Sequence, residues 1–464
     1  MIDRVLKSID ARRGQSLEEL KGLLRVPSVS TKPEHAPDMA RAAKLIADTL
    51  TKTGLKASVE PTGGGKGHPL VLARNDPKPG RPTVLFYGHY DVQPPEPLDL
   101  WTTPPFEPTV RDDGTGHQAV YARGAADDKG QVWSHVEAVR AWQEAGGLPV
   151  NLVMLIEGEE EIGSDHLEAW VRANADKLKA DVAVISDTNQ FARGVPAITY
   201  GLRGLVYCEV FVTAVSHDLH SGMFGGSVPN PANVLSQLIA TLHAPDGRVN
   251  IEGFYDDVRP LDEAERSAWA KLPFDDEKAK RELKLKETFG ETGYSTLERR
   301  WARPTCDVNG LTSGYQGHGA KTIIPAKASA KISMRLVPDQ DPVKVVEAFE
   351  RAMRQRCPKN VTIEFARHGL AGPVIVERNS PAMRLAGEAV EAGFGKRPTL
   401  IREGGSIPVV ALFKQTLGID TLLVGFGLPD DRVHSPNEKF DLDALHNGTR
   451  TAAVLYEKLS RLRG

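Results

Sequence analysis

Val84-Leu85-Phe86-Tyr87-Gly88-His89-Tyr90-Asp91 is the stretch from which the rest of this sequence can be read. An apolar run without polar alternation suits a strand buried on both faces, as in a largely parallel sheet covered by helices. The run stops on a histidine and an aspartate rather than on an ordinary turn. The same form recurs. Leu152 to Ile156 ends at Glu157-Gly158-Glu159-Glu160-Glu161, Val182 to Ile185 at Ser186-Asp187, and Pro398 to Ile401 at Arg402-Glu403-Gly404-Gly405-Ser406. A further run, Thr421 to Val424, leads through a Gly- and Pro-containing loop to His434. In open α/β sheets ligands bind beyond the carboxyl ends of the strands, where loops converge on one crevice. Runs that all end in polar, potentially ligating residues therefore predict a single site.

Amphipathic helical patterns alternate with these runs. Apolar residues recur at helical spacing through Leu17, Leu20, Leu23 and Leu24, and again through Met39, Ala43, Ile46 and Leu50, punctuated by Pro27 and Gly54. At 464 residues the chain is longer than one hydrophobic core usually grows, which predicts two domains. From about 201 to 378 the texture changes: a β-like stretch Val206 to Val212, a helix after Pro231, and a second strand-like run Ala328 to Leu336. The expectation is a discontinuous α/β catalytic domain, residues 1–203 and 379–464, with a mixed sheet flanked by helices, and an inserted α+β domain over 204–378. Inside the insertion, Asp256 to Arg303 interleaves Glu and Lys and reads as a solvated helical excursion without chemistry.

Composition narrows the function. With 40% hydrophobic and 26% charged residues and a formal net charge of -3, the chain is that of an ordinary globular protein with no long-range attraction for nucleic acid or anionic membranes. Charged residues break up the apolar ones in Met1-Ile2-Asp3-Arg4-Val5-Leu6-Lys7, unlike a secretory signal, and no apolar run nears the ~20 residues of a membrane span. The expected compartment is the cytoplasm. Cys208, Cys306 and Cys357 have no paired spacing, so any metal must be held by nitrogen and oxygen.

A lone histidine at a strand end is more often hydrogen-bonded than ligating. Asp91, two residues beyond His89 on the same side of an extended chain, can fix the imidazole tautomer and so favours a ligand. In Arg123-Gly124-Ala125-Ala126-Asp127-Asp128-Lys129-Gly130, capping of the next helix would account for one aspartate. The other, Asp127, is then available to bridge two cations while Asp128 holds the turn. The carboxylates of Glu157 to Glu161 repel one another unless something positive neutralises them; one can ligate while a neighbour, Glu160, takes a proton from water. His89, Asp127, Glu161, Asp187 and His434 complete a set in which each of two ions receives three protein ligands when Asp127 is shared, leaving open positions for a water.

These motifs resemble, in order and over nearly the whole chain, the M20 metallopeptidases. Gly88-His89-Tyr90-Asp91-Val92 is similar to the family's first metal histidine with its supporting aspartate, and Gly124 to Gly130 to the bridging-aspartate motif. Glu160-Glu161-Ile162-Gly163-Ser164 matches general base followed by ligand; three consecutive glutamates precede Ile162, and the Ile-Gly-Ser that follows fixes the register. Ile185-Ser186-Asp187 and Val433-His434-Ser435-Pro436-Asn437-Glu438 look like the last two ligands. By this resemblance one ion would take His89, Asp127 and Asp187, the other Asp127, Glu161 and His434. The branch is carnosinase-like on the strength of Asp218 to Gly222, Ile332 to Pro338 and Arg402 to Pro408.

The resemblance implies a homodimer through the inserted lid domain, with His220 reaching the partner's site. It also implies substrate contacts from Arg335, Gly405 and Ser406, and catalytic roles for Glu160, Asp91 and His220. The expected reaction is hydrolysis of dipeptides or short peptides by metal-activated water, with two divalent ions per subunit. Zinc is the first choice, and manganese or cobalt also suits the donors. N-acyl amino-acid deacylation is the nearest enzymatic alternative, and a catalytically silent metal-binding protein the alternative of another class.

Overall fold

Four of the apolar runs lie side by side as parallel strands: Asn151–Glu157, Thr83–His89, Val182–Ile185 and Thr421–Leu423, in that order across the sheet. The computed structural model describes residues 1–405 and 407–462. Antiparallel strands Leu70–Arg74 and Lys56–Glu60 extend one edge, and Ala197–Leu202, with Thr399–Glu403 beside it, the other. The sheet is therefore mixed, with an all-parallel centre. Residues of the central strands are buried on both faces, which explains why they read as unbroken apolar runs. Lys56–Glu60 escapes such a reading because it is largely exposed, whereas Leu70–Arg74 is buried and apolar like the central strands and was simply passed over.

Thr83–His89 lies at the point where the chain reverses direction across the sheet. From it the chain passes through helix Lys129–Glu144 to Asn151–Glu157 on one side, then returns to Val182–Ile185 on the other. Such a switch point leaves a crevice at the carboxyl ends. Lys129–Glu144 is buried almost all round, between Ile2–Leu24 and Leu442–Leu459, so its apolar residues are not confined to one stripe.

The chain divides into two compact units: residues 1–200, 376–401 and 412–464, and residues 201–375 with 402–411. The first holds the parallel centre of the sheet just described. The second is built on an antiparallel sheet ordered Thr305–Ser313, Lys327–Leu336, Gly204–Thr213, Thr362–Ala371. Strict alternation of buried and half-buried residues along Gly204–Thr213 sends Val206, Cys208, Val210 and Val212 into a core shared with helices Pro231–Ala240 and Pro342–Arg356.

The charged stretch departs from a wholly solvated excursion. It forms helices Glu263–Trp269, Asp276–Leu283 and Thr296–Ala302, and it buries Glu265, Trp269, Leu297, Glu298, Trp301 and Ala302. Widely spaced tryptophans give no periodic signal among so many charges, which is why the sequence pattern hides this small core.

Candidate metal centre

Three of the four central strands deliver a side chain at or just past their carboxyl ends. His89 closes its strand and is fully buried. Asp187 follows Val182–Ile185 by two residues, and Glu161 lies in the turn Glu160–Ile162 just past Asn151–Glu157. Asp127 comes from the loop that enters helix Lys129–Glu144. Gly88 makes room for that entry: a Cβ there would lie 2.5 Å from Val132 Cγ2 and 2.9 Å from Asp128 Oδ2. The Asp127–Asp128 peptide bond is cis. Asp128 occupies the N-cap position of that helix, but its side chain makes no capping bond; its Oδ2 instead accepts the backbone N–H of His89 at 3.3 Å.

His434 arrives from a different part of the chain. Strand Lys439–Asp441 pairs with Gln118–Tyr121, and the Ala122 N–H donates to Glu438 O at 3.1 Å, which lays the loop 432–438 along 122–127. Arg432, His434 and Asn437 take left-handed backbone conformations, φ 56°, 61° and 62°. Residues other than glycine adopt these at some cost and keep them only when the surroundings insist. The insistence comes from Asp431, whose carboxylate accepts from Lys439 Nζ at 2.9 Å and Leu428 N at 2.7 Å, and from Asn437, which accepts from Thr102 N at 2.9 Å and Arg111 Nη2 at 3.0 Å.

These elements place Asp127 between two imidazoles. Its Oδ1 is 3.1 Å from His89 Nε2, and its Oδ2 is 2.9 Å from His434 Nε2. Asp187 Oδ2 lies 3.9 Å from His89 Nε2, and Glu161 Oε2 3.2 Å from His434 Nε2. Two clusters result, His89 with Asp127 and Asp187, and Asp127 with Glu161 and His434, each with its ligand atoms within 4.8 Å of one another.

Behind them, Asp91 serves both halves. Its backbone O and its Oδ1 lie 3.1 and 3.3 Å from His89 Nδ1, turning Nε2 toward Asp127, while its carboxylate accepts the N–H groups of Glu160 at 3.3 Å and Glu161 at 3.0 Å.

The electrostatics favour cations here. Burial and the charge of Asp127 push the Asp187 carboxyl well above the usual carboxylate range. Burial opposes ionisation of Asp127, but hydrogen bonds from His434 and His89 outweigh it and hold the group below that range. Hydrogen bonds to Asp127 and Glu161 push His434 up to about 10. In a metal-free cluster the imidazoles must stay protonated to offset buried carboxylates. Divalent ions between the same nitrogen and oxygen atoms would replace those protons, so the donor set fits two such ions.

The acidic run sorts itself by partner. Glu157 is buried and accepts from the Tyr87 hydroxyl and from Ser164 Oγ at 3.0 Å. Glu159 accepts from His68 N at 2.9 Å and pairs with His166 Nδ1 at 3.0 Å. Glu161 faces His434. Glu160, pushed up to about 7 by burial and, against the pull of His89, by the charges of Glu161, Asp127 and Asp91, is the remaining carboxyl of the run that feels the cluster.

The remaining candidates belong to the second unit. His220 ends the short strand Leu219–His220, is exposed, and accepts the Gly222 N–H on Nδ1 at 3.0 Å. Arg335 lies on Lys327–Leu336, paired across from Leu205. Gly405 is exposed, and Ser406 lies outside the described residues.

Residues 85–458 match the sequence profile of Peptidase family M20/M25/M40. The chain belongs to this family. Full-length relatives agree: it is 35% identical to the Cys-Gly metallodipeptidase dug1 of Schizosaccharomyces pombe, over 99% of this chain and 98% of that one. It is also 32% identical to the Beta-Ala-His dipeptidase of Homo sapiens, over 100% and 93%. Among solved structures, human carnosine dipeptidase 1 superposes with a TM-score of 0.84 at 31% identity, covering 99% of both chains. An M20 family metallo-carboxypeptidase from Sulfolobus solfataricus gives 0.85 at 36%, covering 96% of this chain and 99% of that one.

In this M20 peptidase the sequence reading passed over two supporting residues. Glu438 is buried and accepts from Arg123 Nη1 at 2.7 Å and from the N–H groups of Gly124, Ala126 and Asp127 at 2.9, 2.9 and 3.1 Å. Its carboxylate thus moulds the loop that carries Asp127. The signal was its place four residues after His434, but only the tertiary fold shows what it binds. Gln93 donates to Glu161 Oε2 at 2.7 Å, a contact across 68 residues that no local pattern announces.

Proposed function

We propose that this M20 peptidase hydrolyses dipeptides or short peptides at a pair of divalent ions, zinc by preference. His89, Asp127 and Asp187 would hold one ion, and Asp127, Glu161 and His434 the other. Bound there, such ions would supply Lewis acidity, for the attacking water at neutral pH and for the scissile carbonyl. The observation that carries this reading is that the two oxygens of Asp127 each face a different histidine, at 3.1 and 2.9 Å.

Glu160 takes the proton of the attacking water and passes it to the departing amine. Burial raises this carboxyl, which favours its giving the proton on once taken. Asp91 keeps His89 in the tautomer that offers Nε2 and holds the Glu160 turn through its amides.

His220 supplies a hydrogen-bond donor to the developing oxyanion in the partner subunit of a homodimer formed through the second unit, which acts as a lid. Supporting this, its Nδ1 accepts from Gly222, so the neutral ring carries its proton on Nε2 as a donor. Arg335 offers a planar fork for the substrate carboxylate, and Gly405 and Ser406 are assigned as further substrate contacts. We assign the enzyme to the cytoplasm: its three cysteines are unpaired, and no helix among the described residues is long and apolar enough to cross a membrane.

The test is a substrate panel. Dipeptides including Cys-Gly and β-Ala-His are assayed beside N-acetyl and N-succinyl amino acids, with and without added zinc, manganese or cobalt. Dipeptide cleavage that needs a divalent ion is expected. Activity confined to the acylated compounds would overturn the assignment.

A further inference from the structure

The excursion between Asp256 and Arg303 closes on a residue far from it in sequence. Its helices Glu263–Trp269 and Thr296–Ala302 are capped by Asp262 and by a Ser295–Glu298 capping box, and joined by Arg266 donating to Glu298 at 2.7 Å. Between them Trp269 and Trp301 meet edge to face, with ring centroids 5.1 Å apart. From this frame Glu265 points inward. Its side chain is 4% exposed and accepts a hydrogen bond from Nη2 of Arg402, itself 3% exposed. The Trp269 ring lies beneath the same guanidinium, 5.5 Å from its Cζ.

Arg402 opens the stretch Glu403-Gly404-Gly405, and Arg203 grips that stretch from the other end. The Arg203 backbone N–H donates to Glu403 O at 3.3 Å, and its Nε donates to Gly404 O at 3.3 Å. Two glycines admit these side chains. A Cβ on Gly404 would come within 2.8 Å of Arg203 Nη2, and one on Gly201 within 3.0 Å of Arg402 Cγ. A buried ion pair is a weak way to gain stability, because desolvation consumes most of the attraction, whereas one arrangement of its two charges is strongly preferred over all others. What the Glu265–Arg402 pair provides is one preferred placement of Arg402, the residue that leads into 403–405.

We propose that Glu265 and Trp269 are positioning residues for substrate: by holding Arg402 they keep Glu403-Gly404-Gly405 in the conformation that receives the peptide, and so they set KM. This rests on the reading above that Gly405 contacts substrate. The excursion is then a brace of the substrate pocket rather than a surface ornament.

The experiment compares metal-loaded wild type with Glu265→Gln, which keeps size and an acceptor but removes the charge. Glu291→Gln serves as control: Glu291 forms a similarly buried pair with Arg303, at 2.7 and 2.8 Å, elsewhere in the same excursion. Steady-state kinetics, metal content and hydrogen exchange of residues 400–411 are measured on each. For Glu265→Gln, KM rises about tenfold with kcat within about threefold, metal content holds, and exchange in 400–411 speeds up about tenfold, while Glu291→Gln leaves KM and that exchange unchanged.

An unchanged KM in Glu265→Gln overturns the proposal, and so does an equal rise in Glu291→Gln. Should Glu265→Gln fail to fold, Trp269→Phe carries the same comparison. Complete exchange of residues 402–405 at the earliest time point in wild type refutes the brace whatever the variants do. Cleavage of acylated amino acids alone defeats the dipeptide assignment, and KM for those compounds then tests the brace separately.

Discussion

Two acidic stretches of this chain look alike on paper and behave in opposite ways. Between Asp256 and Arg303 the inward-facing carboxylates meet permanent cations: Glu265 with Arg402, Glu291 with Arg303, Glu298 with Arg266. Past Asn151–Glu157 the carboxylates turn toward histidines and one another, and no arginine or lysine pairs with Asp127, Glu161 or Asp187 among the described ion pairs. The first arrangement is complete in itself. The second balances only if protons or metal ions enter, and that difference separates a structural brace from a reactive site.

Breaking the second arrangement at its shared member has the largest expected effect. Asp127→Asn loses both ions and all measurable hydrolysis, checked by elemental analysis and assay on the same preparation. Glu160→Gln sharpens the contrast, because it retains both ions while kcat falls ~10²–10⁴-fold, as expected when a general base is removed. A variant that loses its metal instead would reassign Glu160 as a ligand.

Glu438→Ala tests the one place where the site borrows the logic of the brace. It strands the buried Arg123 charge and frees the loop before Asp127, so stability drops by about 3–5 kcal/mol in urea titration and metal affinity weakens. Glu159→Gln should do least. Its carboxyl serves His68 and His166 rather than the cluster, an amide oxygen can still accept from His68 N, and kcat/KM stays within about threefold of wild type. A loss as large as that of Glu160→Gln would shift the register of base and ligand by one residue.

Acid probes the same boundary through His135. This buried imidazole lies between Tyr456 and Ser186, both 2.8 Å away, and burial lowers its pKa to about 3. Above the ordinary histidine pKa of about 6.5 both folded and unfolded chains are neutral at this residue, and it has no effect on the pH dependence of stability. Below that value the unfolded chain binds a proton the native state refuses, so stability falls by roughly 1.4 kcal/mol per pH unit down to about pH 3. In metal-free protein His135→Gln should show a shallower acid limb by that amount.

Much of the site was legible because it grows from strand ends. A strand buried on both faces announces itself as an apolar run, and the residue that stops it is visible in the same few positions, as at His89 and Asp187; the choice of Glu161 among its neighbours rests on the Ile-Gly-Ser that follows. His434, further beyond its strand, needed the motif around it. What could not be read were contacts whose partners lie hundreds of residues apart. Glu438 is 311 residues from the Asp127 amide it accepts, and Arg402 is 137 from Glu265. A charge run betrays nothing about which of its members turns inward, so the excursion read as solvent-facing although its tryptophans build a core. Asp128 stands at the helix turn as expected, but its side chain accepts the His89 amide, a contact that the close approach at Gly88 permits.

Catalysis at this site depends on cations shared through Asp127, and metal stoichiometry tests that dependence most directly. Freshly purified, fully active enzyme should carry two divalent ions per chain, lose activity as a strong chelator strips them, and regain it when they are returned. Full activity in protein free of divalent ions would contradict it.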